Sequence, residues 1–336
     1  MIRFSVILPV RNGWPYVEEC VNSILAQTYP HFDLIALDNC STDTTVEWLR
    51  SRNDERIRIF TSADSLSIVD SWARVMHVER HEYMTLIGHD DTLDADFLER
   101  IKSLIERHPE CSLYQTGGRL INSEGGTVRS CAPVPEIETA AQYLKARFTF
   151  NRDNFGTGFV MRSADYDRVG GIPPFERLSF ADDALWLALV GSGSKACDPS
   201  EHFSVRVHPE SESASLPALW RLILSGLASF TGFLNDFVQT DVESRKIYRE
   251  YGPDFMLTYH RNAMIMALVE ASEAGQRIDR VVVDRIRASL MRTAPDRGGQ
   301  LFRSPKVAAI VALNASPLRS VLPMLWNQYS RFKMKA

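Results

Sequence analysis

The run Leu86-Ile87-Gly88-His89-Asp90-Asp91 closes an apolar, strand-like segment and sets two carboxylates side by side at its exit. Adjacent like charges repel, and a divalent cation removes that cost. In an α/β chain without a P-loop lysine, a carboxylate pair at a strand end suggests a metal that in turn holds a diphosphate. Taken alone, the same two acids also read as a solvated loop.

The segments on either side alternate between two periods. Residues 5–10 form a continuous apolar strand followed by the loop Arg11-Asn12-Gly13. Tyr16, Val17, Cys20, Val21, Ile24 and Leu25 then recur at helical spacing, and Tyr29-Pro30 stops that helix. Residues 33–37 read as a second strand, and Thr44 with Glu47 resembles a capping box for the next helix. A third strand at 56–60, a helix at 68–78, a fourth strand at 83–87 and a helix striped by Phe97, Leu98, Ile101, Leu104 and Ile105 complete the pattern. Such alternation implies a doubly wound, mostly parallel sheet, whose ligands bind beyond the carboxyl ends of the strands. The loops carrying Arg11, Asp38-Asn39 and Asp90-Asp91 then converge on one edge. No G-x-G-x-x-G follows the first strand and no P-loop occurs, so dinucleotide and P-loop readings are weak.

Beyond residue 110 the alternation loosens. Residues 113–122 with Gly125-Gly126 read as a hairpin, 130–138 as a proline-bearing loop, 155–161 and 203–207 as strands, and 184–190 as a helix. Residues 216–292 read as helical throughout. The expected division is 1–212 for the wound domain, 213–296 for a helical region and 297–336 for a basic amphipathic tail.

The chain has 336 residues, of which 45% are hydrophobic and 24% charged, with a net charge of -4, giving no sign of a nucleic-acid partner. Five scattered cysteines without a C-x-x-C pair argue against structural zinc and favour a reducing compartment. The chain enters its first strand at once, without a signal-peptide pattern, and no stretch reaches about 18 uninterrupted apolar residues. A cytoplasmic location is expected, with peripheral attachment to the inner membrane face as an alternative. From Arg297 onward the chain has seven Lys and Arg and no Asp or Glu. Val307, Ile310, Val311, Leu313, Leu318, Val321, Leu322, Leu325 and Trp326 recur there at helical spacing, as in interfacial helices. An anionic membrane is one candidate cover for residues 304–336; the body of the protein or a second subunit is the other.

Taken in order, these segments resemble the family 2 glycosyltransferases of the GT-A fold. Phe4 to Gly13 is similar to their first strand and nucleotide loop, and Ser23-Ile24-Leu25-Ala26-Gln27-Thr28-Tyr29-Pro30 to their first-helix signature. Asp38-Asn39-Cys40-Ser41-Thr42-Asp43 resembles their acid-rich turn, and Gly88-His89-Asp90-Asp91 stands where their D-x-D motif falls. Gly156-Thr157-Gly158-Phe159-Val160-Met161-Arg162 with Val169-Gly170-Gly171 looks like their acceptor-side segment. Ala181-Asp182-Asp183-Ala184-Leu185-Trp186-Leu187 fits their catalytic-base helix, and Arg206-Val207-His208 their closing motif. The match spans roughly residues 3–210. It departs at Asn39, where the family carries a second acid, and at His89, where the first D-x-D carboxylate would stand.

The resemblance implies sugar transfer with inversion from a nucleotide diphosphate, a UDP sugar being the expected donor, to a hydroxyl of a glycan or lipid-linked acceptor. Pro9, Arg11, Asp38, Asn39, Asp90 and Arg206 are then the candidate donor contacts. Asp91 and His208 are the candidate ligands of Mn²⁺ or Mg²⁺, which prefer oxygen donors. Asp182 aligns with the general base, Asp183 being the neighbouring alternative. Each residue also has a plainer reading: Asp182 as a helix cap, Arg206 as a strand-edge charge, His208 as a surface histidine, and Gly156 and Gly158 as a tight backbone. The rival functions are a sugar-1-phosphate nucleotidyltransferase, which lacks its Gly-rich basic loop here, and a catalytically silent nucleotide-binding subunit.

Overall fold

Residues 4–10 are apolar and buried on both faces, the signature of a central strand in a parallel sheet covered on both sides. In the computed structural model, which describes residues 1–208 and 219–326, this segment is strand β1 (Phe4–Val10). It lies between β2 (Phe32–Asp38) and β4 (Tyr83–Leu86), both parallel to it, and β3 (Ile57–Thr61) extends the sheet beyond β2. The connecting helices are α1 (Tyr16–Leu25), α2 (Thr45–Ser51), α3 (Ile68–Ala73) and α4 (Phe97–Arg107). The register pairs Val10 with Asp38 and Ile7 with Leu86. The loops after β1, β2 and β4 therefore leave the sheet at one edge.

The second half of the sheet is mixed. Strands β5 (Thr92–Leu93), β6 (Leu113–Ile121), β7 (Thr127–Ser130), β8 (Ile137–Glu138), β9 (Phe159–Arg162) and β10 (Lys195–Arg206) continue it. The order is β3-β2-β1-β4-β9-β6-β10-β5, with β7 on β6 and β8 on β10. Strand β9 runs antiparallel between β4 and β6, whereas β10 is parallel to β6 and bulges between Asp198 and Phe203. The β6–β7 hairpin expected at Gly125-Gly126 is present, with Gly125 at φ 81. Short helices α5 (Ala140–Phe148) and α6 (Ser163–Arg168) precede α7 (Ala181–Gly191).

Several local expectations change. Thr44 has helical angles and makes no capping bond, so the expected capping box does not form; instead Asp43 Oδ1 accepts the Thr45 N–H at 3.0 Å. The helix expected through residue 78 stops at Ala73 and tightens into a 3₁₀ turn at Arg74–His77, where the Arg74 guanidinium reaches across to the carbonyls of Asp38 and Phe60. The proline-bearing loop at 130–138 contributes β8, where buried Glu138 stands between Arg152 and Lys195.

The chain divides into two compact units. The first comprises residues 1–143 and 150–208, the second residues 144–149 and 209–336. The expected boundary at 212–213 lies outside the described residues. The second unit is helical: α8 (Leu219–Phe237), α9 (Val242–Glu273), α10 (Arg280–Thr293) and α11 (Pro305–Ala315), with turns rather than one unbroken run over 216–292. Asn314 ties α11 down, its amide donating to Ser272 Oγ at 2.8 Å and to the carbonyls of Leu268 and Gln276.

His260 is fully buried between α9 and α10, with Nδ1 2.7 Å from the Met256 carbonyl and Nε2 3.0 Å from Ser289 Oγ. A carbonyl only accepts, so Nδ1 carries the proton and Nε2 accepts from the serine. Burial pushes this imidazole down to about 4. The unfolded chain then binds the proton more readily, so the stabilising effect is complete above about pH 6.5 and is lost as pH falls toward 4. The difference is worth up to about 3 kcal/mol. Melting followed from pH 7 to pH 4 should show this loss, and His260→Gln should flatten the slope; an unchanged slope assigns the acid lability elsewhere.

Candidate active site

Strand β4 ends at Leu86, and Ile87 still donates to the Ile7 carbonyl at 3.1 Å before the chain turns at Gly88. The turn is tight: a Cβ on Gly88 would stand 2.9 Å from Asp90 Oδ1 and 3.0 Å from Asp91 Oδ2. Asp91 is drawn inward. Its Oδ1 accepts the Arg206 backbone N–H at 2.9 Å and its Oδ2 the Thr157 hydroxyl at 2.5 Å. Burial, reinforced by the neighbouring Asp90 charge, pushes the Asp91 carboxyl up to about 7 against the help of these donors. Cys20, whose thiol sits 3.5 Å from the Gly88 carbonyl, is raised by burial and by the same acids.

Arg206 lies near this loop because β10 ends beside it and pairs with β5, which follows Asp91. The guanidinium is buried and engaged on all sides. Nε donates to the Asp90 carbonyl at 2.9 Å, one terminal nitrogen to the carbonyls of Asn122 and Ser123, and the other to Glu19 Oε2 at 2.5 Å. Its central carbon lies 4.9 Å from the Tyr16 ring centre. As placed, Arg206 braces the acid loop. His208 also reaches the loop, with Nε2 3.0 Å from Asp90 Oδ2 and its ring 4.8 Å from Tyr16. That nitrogen is directed at Asp90, so His208 orients the first acid of the pair.

The loops after β1 and β2 are latched together. Asn12 at φ 48 donates its N–H to Ser41 Oγ at 2.9 Å and accepts the Thr42 N–H at 2.8 Å; Gly13 donates to Thr45 Oγ1 and Trp14 to Asp43 Oδ2. Asp38 is buried at the strand end and receives the Ser41 N–H at 3.2 Å. The Asn39 amide is used within the protein, accepting the Leu66 N–H at 2.8 Å and donating to the Leu66 carbonyl at 3.0 Å. Asn39 thus holds the 62–66 loop beside Asp38. Pro9 is buried in β1, and Arg11 is exposed at the end of that strand.

Asp182 and Asp183 occupy the first turn of α7, reached through the left-handed residues Arg177, Leu178 and Phe180. Three such non-glycine residues just before a helix are costly and concentrate where a side chain must be aimed. Asp183 is buried, whereas Asp182 remains partly accessible and accepts the Asp183 N–H at 2.9 Å. One turn on, and hence on the face that carries Asp182, Trp186 donates to the Phe155 carbonyl at 2.9 Å and stacks on Phe159 with ring centres 4.4 Å apart. Thr157 lies between those two contacts. The glycines beside it serve different neighbours: a Cβ on Gly158, at φ 91, would strike the Phe203 ring at 2.6 Å, and one on Gly156 would lie 3.7 Å from Trp72. Gly158 is therefore explained by packing.

Among the described residues no three His, Cys, Asp or Glu side chains gather into a closed metal cage. The donor set is suitable, since Asp91 is a buried carboxylate whose two partners are neutral donors.

Sequence and structure comparisons place these features among known proteins. The profile described as Glycosyl transferase family 2 matches residues 5–170. TuaG of Bacillus subtilis, named a teichuronic acid biosynthesis glycosyltransferase, is 28% identical over 200 residues, covering 59% of this chain and 75% of TuaG. TarS of Staphylococcus aureus, named a poly(ribitol-phosphate) beta-N-acetylglucosaminyltransferase, is 26% identical over 113 residues, covering 32% of this chain but only 20% of TarS. The crystal structure of TarS 1–349 in complex with UDP-GlcNAc aligns over 97% of this chain and 92% of that one, with TM-score 0.57 and 15% identity. The mannosyltransferase PcManGT from Pyrobaculum calidifontis, in complex with GDP-Man and Mn²⁺, aligns over 98% and 87%, with TM-score 0.51 and 12% identity. The shared architecture is the GT-A type.

A carboxyl raised by burial stabilises the fold while it keeps its proton. For metal-free protein, the Asp91 contribution is present at about pH 4 and lost as pH rises through about 7. Asp91→Asn should therefore melt several degrees above wild type at pH 8 in chelator, with the gap closing toward pH 5. Scanning fluorimetry across that range checks it; equal melting at pH 8 contradicts an uncompensated buried charge.

Proposed function

Residues 5–170 are a glycosyl transferase family 2 domain, and on that premise we propose that the chain is a metal-dependent, inverting glycosyltransferase using a nucleotide diphosphate sugar, of the UDP class. The observation that carries this reading is Asp91: a buried carboxylate at the carboxyl edge of parallel strands, beside a second acid, with only neutral donors on its oxygens. A divalent ion bound there supplies Lewis-acid stabilisation of the departing diphosphate. Asp91 is the proposed ligand and Asp90, oriented by His208, its support. Arg206 keeps the pair in place. Asp38 and Arg11, at the ends of β2 and β1, are the proposed donor contacts, with Asn39 shaping the loop beside them. The complexes of TarS with UDP-GlcNAc and of PcManGT with GDP-Man and Mn²⁺ support a nucleotide sugar and a divalent ion on this architecture.

Asp182 is the proposed base. It takes the acceptor hydroxyl proton as that oxygen bonds to the anomeric carbon and the bond to the diphosphate breaks on the opposite face, which inverts the centre. Its partial exposure favours it over the buried Asp183. Asp182→Asn should leave Mn²⁺-dependent binding of UDP near wild type and cut transfer by roughly two to four orders of magnitude, whereas Asp91→Asn should remove the Mn²⁺-dependent binding itself. Calorimetry with UDP, with and without Mn²⁺, and transfer assays over a panel of nucleotide sugars test both. A stronger effect of Asp183→Asn than of Asp182→Asn reverses the assignment of the base.

The acceptor proposed is a cell-surface glycan or its lipid-linked precursor, met at an anionic membrane. Among the described residues no single helix is long and apolar enough to cross a bilayer, and the pair 305–315 and 317–326 is bent by 114°. Val307 and Leu322 of the apolar stripe are buried in their own unit, whereas Leu318, Met324 and Leu325 are exposed in a segment with no acidic residue. Arg331, Lys333 and Lys335, which complete the basic tail, lie outside the described residues. Replacing Leu318 and Leu325 by Glu should weaken sedimentation with phosphatidylglycerol vesicles and leave UDP binding intact. Unchanged sedimentation rejects the membrane surface.

A further inference from the structure

Thr157 is 1% exposed, and its hydroxyl has two partners from another part of the chain. The Gly88 N–H lies 3.0 Å from Oγ1, and Asp91 Oδ2 lies 2.5 Å from it. An amide N–H only donates, so Oγ1 accepts from Gly88. The hydroxyl proton is then free to point at the Asp91 carboxylate. The result is a relay, N–H to O–H to O⁻, in which each bond polarises the next. It spans the turn that carries both acids and fixes which oxygen of Asp91 faces inward.

The same residue is anchored on its other side. Phe155 accepts the Trp186 indole N–H and Phe159 stacks on that ring, so segment 155–159 is seated on the helix that carries Asp182. Among the side-chain contacts described for Asp91, Thr157 provides the one from the acceptor-side segment.

We infer that Thr157 is a positioning residue that sets the Asp91 carboxylate for the cation and joins the donor-side acid turn to the segment seated on the base helix. This rests on the reading of Asp91 as the metal ligand. Thr157 touches neither donor nor acceptor in this scheme, and its effect passes through Asp91.

The test is a cycle of Thr157→Val, Thr157→Ser and Asp91→Asn, singly and combined, read as UDP affinity with and without Mn²⁺ by calorimetry. A hydrogen bond to a charged group predicts that Thr157→Val weakens Mn²⁺-dependent UDP binding by roughly 10- to 100-fold. Metal-free UDP affinity should be unchanged. Thr157→Ser should return to within about threefold of wild type, and Thr157→Val should add nothing on the Asp91→Asn background. Thr157→Ala gives the same readout if valine crowds Gly88 and lowers the melting temperature. Wild-type Mn²⁺ dependence in both Val and Ala variants overturns the inference, as does an equal loss without metal or on the Asp91→Asn background. Asp91→Asn that keeps its Mn²⁺ dependence overturns the metal reading itself. Asp91→Asn that loses it while the Val and Ala variants keep it leaves that reading standing and removes only Thr157.

Discussion

The site is organised around one buried carboxyl whose ionisation the fold opposes. Asp91 lies under the tight turn at Gly88, with Asp90 adjacent, and the Arg206 guanidinium beside the loop is occupied by carbonyls and Glu19. Two neutral donors hold the carboxylate without neutralising it. Such a group is costly to keep inside a fold unless something of opposite charge is to be bound there. The surrounding bonds fix this loop: Arg206 donates to its backbone, His208 contacts Asp90, and Thr157 donates to Asp91.

Much of this was legible in the chain. The alternation of apolar strands with helices of six to eleven residues dictates the parallel half of the sheet, in which Val10 pairs with Asp38 and Ile7 with Leu86. The polar residues at those strand ends had to share one edge. The roles of individual side chains were less readable, because they depend on partners far away in sequence. Asn39, read as a base-facing amide, spends its donor and acceptor on Leu66. Arg206, read as a phosphate contact or a strand-edge charge, has partners at 19, 90, 122 and 123 that no spacing rule connects. Thr157 offered no signal beyond standing between two glycines, since its importance arises only when β9 inserts antiparallel beside β4 and brings residue 157 to residue 91. Even the glycines divided, with Gly158 answering to an aromatic ring rather than to a ligand.

The second unit follows a different economy. Among the described residues its buried polar contacts include the His260–Ser289 pair, the Thr231 hydroxyl on the Leu227 carbonyl, and the Asn314 amide at the junction of α9 and α11. The apolar stripe, for which the sequence left a membrane, the body of the protein or a second subunit as cover, is divided in space where Asn314 anchors α11. Val307 packs inward on the helix that Asn314 fixes, and the residues left outside come from the segment after it.

The Phe203 ring fills the space that side chains at Gly118 and Gly158 would otherwise claim, coming within 2.3 Å and 2.6 Å of their hypothetical Cβ atoms. These three positions lie on or next to three different strands and share one volume. Substitution is therefore constrained jointly: alanine at 118 or 158 requires the ring at 203 to give way, and at 158 the left-handed backbone opposes it as well.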